Sequence, residues 1–307
     1  MSYTYPGPPV TVTSGEALNV HHLMKTPGAI AKRLRTLLDY KFFSDFLLTG
    51  RYTAQGGAIL YETGEEIFPV DSPEAIEAGA EYPLTSMTTG ELATAKVTKW
   101  GQDTVVTDEA ISRLNIAPVN AALSKISNGM VRHVDGIAMA VIASKVVNTY
   151  SASGAAWTTA GNIIEGVLGA EAQMVNLLDG FAPDTVILKG AQYAKIMGIF
   201  ALAGLLPREG ANPVLSGLWP NLLGKTWVTN PNYTSATPML VDRDRLGGMA
   251  DENIGSPGYS SGSGAGVEVK VMRQDETDSY RLRGRRVTVP VVLEHAAALT
   301  ITGTGLS

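Results

Sequence analysis

The chain has 307 residues, enough for one or two domains with a sizeable core. It has no cysteine, which excludes disulfides, thiolate metal sites, iron–sulfur clusters and a cysteine nucleophile. A net charge of −5 argues against a chain that grips nucleic acid over its whole surface. The four histidines (His21, His22, His133 and His295) have no metal-ligand spacing. Charged residues make up 17%, below the usual quarter, and glycine is abundant at 33 residues. A weakly charged, moderately apolar chain of this kind suits a subunit that hides surface against other chains. The first 20 residues lack a basic stretch followed by an apolar one, and no run of about 18 apolar residues occurs. The expected compartment is the cytoplasm in which the chain is made.

Residues 1–25 are polar, with Pro6, Pro8 and Pro9 favouring extended chain. Two readings stay open for them, a disordered tail and an arm laid across a neighbouring subunit. Residues 26–50 read as a helix, with Thr26 as a possible cap, Pro27 at the first position and Ile30, Leu34, Leu37 and Leu38 on one stripe. Gly50 suits its end. Residues 51–106 carry three positive and nine negative side chains and read as a long hairpin. GGAILYETGEEIF climbs, a tip rich in Pro and Gly follows, and ELATAKVTKWGQDTVV returns. A two-stranded hairpin is marginal in water, so this one needs a surface, on its own domain or on a neighbour. Thr107 and Asp108 can cap the short helix DEAISRLN. Pro118 then opens a helix of about 30 residues, because apolar residues from Val119 to Val146 recur at three- and four-residue steps. Gly129 and Gly136 inside it cost about 1 kcal/mol each against Ala. They mark close packing or a bend. Residues 150–266 mix helices (NIIEGVLGAEAQMVNLLDG, GAQYAKIMGIFALAG) with short strands (DTVILK, KTWVTN, PMLVDR). The stretch GSPGYSSGSGAG, 255–266, reads as linker. Alternating valines over 267–271 and 287–291, then ALTIT, read as closing strands.

No phosphate-binding glycine loop, metalloprotease helix or Ser–His–carboxylate set is legible. Gly262, Gly264 and Gly266 precede a strand, where no helix N-terminus can hold an anion. Asp242, Asp244, Asp251 and Glu252 lie among arginines and glycines and read as a solvated loop. The expectation is therefore no enzyme, with no catalytic, cofactor-binding or metal-binding residue. Arg281, Arg283, Arg285 and Arg286 form the one dense basic cluster. On a strand, 281, 283 and 285 share a face. Three readings stay open for that face: solvated, a dock for an acidic partner surface, or a nucleic-acid contact.

Three stretches, taken together, resemble the major capsid proteins of tailed bacteriophages of the Hong Kong 97 type. EYPLTSMTTGELATAKVTKWGQDTVVTDEAISR (81–113) resembles the returning arm of the family's extended loop and the short helix after it. PVNAALSKISNGMVRHVDGIAMAVIAS (118–144) resembles the spine helix, and RQDETDSYRLRGRRVTVPVVLEHAAALTITG (273–303) the closing strands of the peripheral domain. The resemblance implies an α+β fold with an N-terminal arm and helix (1–50), an extended loop (51–106), a peripheral domain with a spine helix (107–160 and 267–307), and an axial domain (161–266). It implies a virion shell assembled in the host bacterial cytoplasm from pentamers and hexamers. Partners would be a scaffolding protein, a portal and optionally a decoration protein, around double-stranded DNA held without sequence reading, and with no membrane. Glu74, Glu77, Glu81, Tyr82, Lys96 and Lys99 of the loop and Arg281, Arg283, Arg285 and Arg286 are then expected at contacts between subunits. Gly129 and Gly136 are the expected bend points. Lys96 or Lys99 matches the loop lysine that some members cross-link, but no asparagine follows Asn253, so the acceptor is missing from the closing strands. Two other readings are a cellular cargo shell of the same fold and an α+β enzyme with an unrecognised site.

Overall fold

The fourteen residues Ser279–Val292 form a single strand, and much of the chain is arranged to pair it and cover one of its faces. The computed structural model describes residues 16–38, 42–64, 75–76, 82, 90–152, 154, 156–177, 179–205, 221–233, 235–261 and 267–306. In chain order the elements are helices α1 (Glu16–Met24), α2 (Pro27–Leu38) and α3 (Phe43–Leu47), then strands β1 (Gly50–Thr53), β2 (Ala58–Thr63), β3 (Glu91–Lys96) and β4 (Thr98–Thr107). Helices α4 (Asp108–Leu114) and α5 (Ala117–Lys145) follow, then β5 (Thr149–Ser151), α6 (Ala160–Val175), β6 (Thr185–Leu188) and α7 (Gly190–Leu202). The remaining strands are β7 (Asn221–Leu222), β8 (Lys225–Thr229), β9 (Met239–Val241), β10 (Gly247–Asp251), β11 (Ser260–Ser261), β12 (Val267–Gln274), β13 (Ser279–Val292) and β14 (Ala298–Thr302).

The first sheet runs β1-β10-β13-β12-β11, with β4 on the other edge of β13. Residues 279–286 of β13 pair antiparallel with β12 on one side, and residues 279–288 pair with β4 on the other. Helices α2 and α5 cover one face. Gly284 permits this approach: a Cβ there would stand 2.6 Å from Ile126 Cγ2 of α5. The second sheet runs β5-β14-β9-β6-β8-β7, and all four residues of β6 are buried. Helix α7 packs on it through Phe200, edge-to-face with Trp227 of β8 at 6.0 Å. Buried Lys225 ties β8 to α6 by an ion pair with Glu171, 2.8 Å. Strands β2 and β3 form a separate antiparallel hairpin, in register from Ala58 with Lys96 to Thr63 with Glu91.

Helix α5 is unbroken over 29 residues. Pro118 is its second residue, where a missing amide hydrogen costs nothing. Val119, Leu123, Ile126, Met130, Val134 and Ile142 are buried along one stripe. Each such side chain stabilises by roughly 1.5–3 kcal/mol. Its one acidic residue, Asp135, is 2% exposed and accepts the backbone N–H groups of Phe43 (3.1 Å) and Ser44 (2.9 Å). A carboxylate of the long helix thus caps the first turn of α3. Burial pushes that carboxyl above its ordinary value, against the pull of these amides. Thr107 caps α4 as its sequence suggests, its Oγ1 accepting from Ala110 N at 3.3 Å.

Several expected boundaries move. Residues 16–24 are a helix with Val20 and Met24 buried, not part of an extended arm; residues 1–15 lie outside the described ones. The expected helix over 26–50 ends at Leu38, a second begins at Phe43, and Gly50 opens a strand. The returning arm of the hairpin is only Glu91–Lys96, because the next ten residues leave it to pair with β13. The tip lies almost wholly outside the described residues. Strand β10, expected in the axial stretch, belongs to the first sheet, while β5 and β14, expected with the peripheral stretch, belong to the second. Short apolar strands carry no mark of which sheet they will join, so the linear division could not separate them.

The two glycines of α5 differ. A Cβ on Gly129 would stand 2.2 Å from Gln102 Oε1 of β4, whereas one on Gly136 meets nothing within 4 Å. Gly136→Ala is therefore expected to stabilise the subunit by about 0.5–1 kcal/mol, seen as a raised melting temperature. Gly129→Ala is expected to gain less, because Gln102 must move. Equal gains from the two would show that the Gln102 contact imposes no constraint.

Candidate functional site

Alternation along β13 separates its arginines. Arg281, Arg283 and Arg285 point to the face away from α5, and Arg286 points beneath it. The registers of β4 and β12 against β13 place Asp103 and Lys270 beside Arg283, and Glu268 beside Arg285. Arg281 and Arg283 both bind Asp103, with Arg283 Nε at 2.7 Å from Oδ1 and Nη2 at 2.8 Å from Oδ2. The hydrogen bonds from Arg283, then those from Arg281, outweigh burial and hold the Asp103 carboxyl below its ordinary value. Arg285 is bound to Glu268 and stacks on Tyr259, its guanidinium 3.6 Å from the ring centre. An open cleft of about 560 Å³ lies over this region, lined by Lys99, Gln102, Asp103, Tyr259, Arg283 and Arg285.

Arg286 is 0% exposed. It donates to both oxygens of Asp45 (2.9 and 3.2 Å) and of Asp251 (3.0 and 3.1 Å), and lies 4.7 Å from the centre of the Phe42 ring. Arg51 adds a further bond to Asp45 at 2.7 Å. Two arginines and two aspartates thus neutralise one another. Burial alone would favour loss of the Arg286 proton, but the two carboxylates more than offset it. The result joins α3, β10 and β13.

The structure therefore divides the cluster expected at subunit contacts. Arg286 is enclosed in its own subunit, so it has no surface to offer a neighbour in this conformation. Arg281, Arg283 and Arg285 do share a face, each with an acidic partner in its own chain. Lys96 and Lys99 are exposed, Tyr82 is 81% exposed, and Glu74, Glu77 and Glu81 lie outside the described residues. A second group was not foreseen. His21 of α1 lies 3.2 Å from the Tyr280 hydroxyl, and Arg273 makes a two-pronged bond to Asp108 at 2.6 and 2.7 Å. No sequence spacing marks residues so far apart. Among the described residues no group of three or more His, Asp or Glu could hold a metal, and no helix is long and apolar enough to cross a membrane. His133 packs edge-on against Trp100 at 4.5 Å, far from His21 in sequence.

The sequence profile of a family described as "Phage capsid protein" matches residues 91–301, from β3 to β14. The chain belongs to the phage capsid protein family. It is a structural major capsid protein of the Hong Kong 97 type, and its place is the capsid of a virion. No curated protein sequence matches this capsid protein. Solved structures share its fold at low identity. A phage-related protein from Bordetella bronchiseptica is 12% identical with a TM-score of 0.59, covering 91% of this chain and 97% of its own. The capsid of cyanophage P-SCSP1u is 12% identical with a TM-score of 0.58, covering 85% and 87%. A virus-like particle from Pyrococcus furiosus is 10% identical with a TM-score of 0.55, covering 89% and 97%. The α+β fold expected of the capsid protein is thus the one found.

Arg286→Met keeps length and apolar contact but leaves Asp45 and Asp251 without their shared cation. The capsid protein subunit should lose about 3–5 kcal/mol, read by urea unfolding. A loss under about 1 kcal/mol would mean that the buried group is incidental to the fold.

Proposed function

We propose that copies of this chain assemble as pentamers and hexamers into an icosahedral shell around phage double-stranded DNA, which it holds without reading sequence. The observation that carries this reading is the family match over residues 91–301, which takes in the second sheet, the first sheet apart from β1, and the long helix. The surface supports it. Leu202, at the end of α7, is 92% exposed, and Leu168 and Val175 of α6 are exposed too. On the hairpin, Leu60 and Leu92 lie on one face with 63% and 70% exposure. A lone subunit leaves these side chains to water, and neighbours in a shell would cover them.

In this reading the first sheet with α1 to α5 is the peripheral domain, and the second sheet with α6 and α7 is the axial domain, gathered at symmetry axes. The hairpin with residues 65–89 is the extended loop. No cofactor or catalysis is needed. A scaffolding protein, a portal and optionally a decoration protein complete the particle, which assembles in the host bacterial cytoplasm. A cellular cargo shell would use the same subunit surfaces, but the family match favours the phage. Of the two expected bend points of the spine helix, Gly136 has open space around it while Gly129 lies against Gln102, which makes Gly136 the freer hinge.

Expression with the scaffolding gene of its phage, followed by negative-stain imaging, should show closed shells or free pentamers and hexamers. A stable monomer under the same conditions, or one that turns over a substrate, would contradict the proposal.

A further inference from the structure

Most arginines among the described residues are neutralised within the chain. Arg51, Arg243, Arg273 and all four arginines of β13 each bind an aspartate or a glutamate. Arg132 of α5 binds none among the described residues, and neither does Lys125; both are exposed. The two lie seven residues apart, nearly two turns, so they share one side of the helix about 10 Å apart. The only carboxylate of α5, Asp135, is buried against α3. The exposed side of this helix therefore carries cations and no carboxylate, in a chain whose net charge is −5. Beside Arg132 an open groove of about 400 Å³ lies between α5 and the turn after β8. Gly136 lines it, and a Cβ there would meet nothing within 4 Å, so the helix backbone is open at that point. Its polar side chains are Arg132, His133 and Asn232. His133 is held edge-on by Trp100 at 4.5 Å. Asn230, 3% exposed, accepts the backbone N–H of Asn232 at 2.7 Å and so fixes the turn. All three lining side chains can donate hydrogen bonds, and no carboxylate lines the groove.

Donors with no acid among them suit an anion, and cations in a row suit a repeating one. We infer that this groove, with Lys125 beside it, takes the phosphodiester backbone of duplex DNA. The inference rests on the shell assembly proposed above and names the face of the subunit that meets the enclosed DNA. A single free phosphate would be held best in a closed cradle, whereas this groove is open and the second cation stands outside it. Long, flexible side chains let Lys125 and Arg132 reach phosphates of one strand. On the opposite face of the first sheet the arginines are already bound to Asp103 and Glu268. Few phosphates are neutralised per copy, so each subunit holds DNA weakly, and phosphate contacts carry no sequence information. An acidic chain with one cationic groove thus meets DNA over a confined area only.

The test is binding of a short labelled DNA duplex to the unassembled full chain, read by fluorescence anisotropy over a range of salt. Arg132→Gln removes an exposed cation that has no acidic partner among the described residues. Lys99→Gln makes the same change of charge on the opposite face of the first sheet. Arg132→Gln should weaken binding about tenfold and lower the slope of log affinity against log salt by about 0.9, the loss of one phosphate contact. Lys99→Gln should leave both unchanged, and Arg132→Lys, which keeps the charge, should bind nearly as the unaltered chain does. Equal melting temperatures keep folding out of the comparison. Equal losses from Arg132→Gln and Lys99→Gln, no loss from Arg132→Gln, or no binding by the unaltered chain at low salt would overturn the inference. Inhibition by inorganic phosphate beyond that of chloride at the same ionic strength would assign the groove to a small anion and overturn it too. Any of these results from a chain that still forms shells leaves the capsid reading intact, whereas failure of the unaltered chain to form shells or their pentamers and hexamers counts against that reading itself.

Discussion

Strand Ser279–Val292 has to carry four arginines while being paired on both edges and buried on one face, and the rest of the subunit answers that demand. An ionised guanidinium taken out of water is stable only where carboxylates meet it with good geometry. Arg286 obtains them from two distant places, Asp45, 241 residues away, and Asp251, 35 residues away. Meeting both requires α3 and β10 to sit where they do. Asp135 then fastens α3 to the long helix through two amides, and Gly284 lets that helix lie against the strand. The arm, the sheet and the helix are linked through one buried cation and one buried carboxylate.

On the opposite face the same strand has a different role. Its arginines are partly neutralised, and the remainder is positive and open. An unpaired basic face would lose stability through repulsion between its own arginines. The observed balance holds the strand together and keeps an excess of charge at the surface. Apolar side chains exposed on α6, α7 and the hairpin are left to water in the lone subunit, which suits a member of a phage capsid family.

The parts legible in the sequence are those with a long period or a local mechanism. The 29-residue helix showed itself through apolar steps of three and four and through Pro118. The cap at Thr107 needed only residues three apart, and alternation placed Arg281, Arg283 and Arg285 on one face. What stayed hidden depends on pairing over distance. Nothing near Arg286 in the sequence distinguishes it from its neighbours, because Asp45 and Asp251 meet it only in the fold. Strands Gly247–Asp251 and Ala298–Thr302 are too short and too uniformly apolar to declare their sheets. The hairpin's returning arm read as continuous because one alternating pattern passes from Lys96 through Val97 to Thr98, while the chain changes partner there.

Arg286, buried between Asp45 and Asp251, ties α3, β10 and β13 into one subunit. A double-mutant cycle over Arg286→Met and Asp251→Asn, read by urea unfolding, tests this most directly. A coupling energy of about 1 kcal/mol or more between the two changes is expected. Losses that simply add would contradict it.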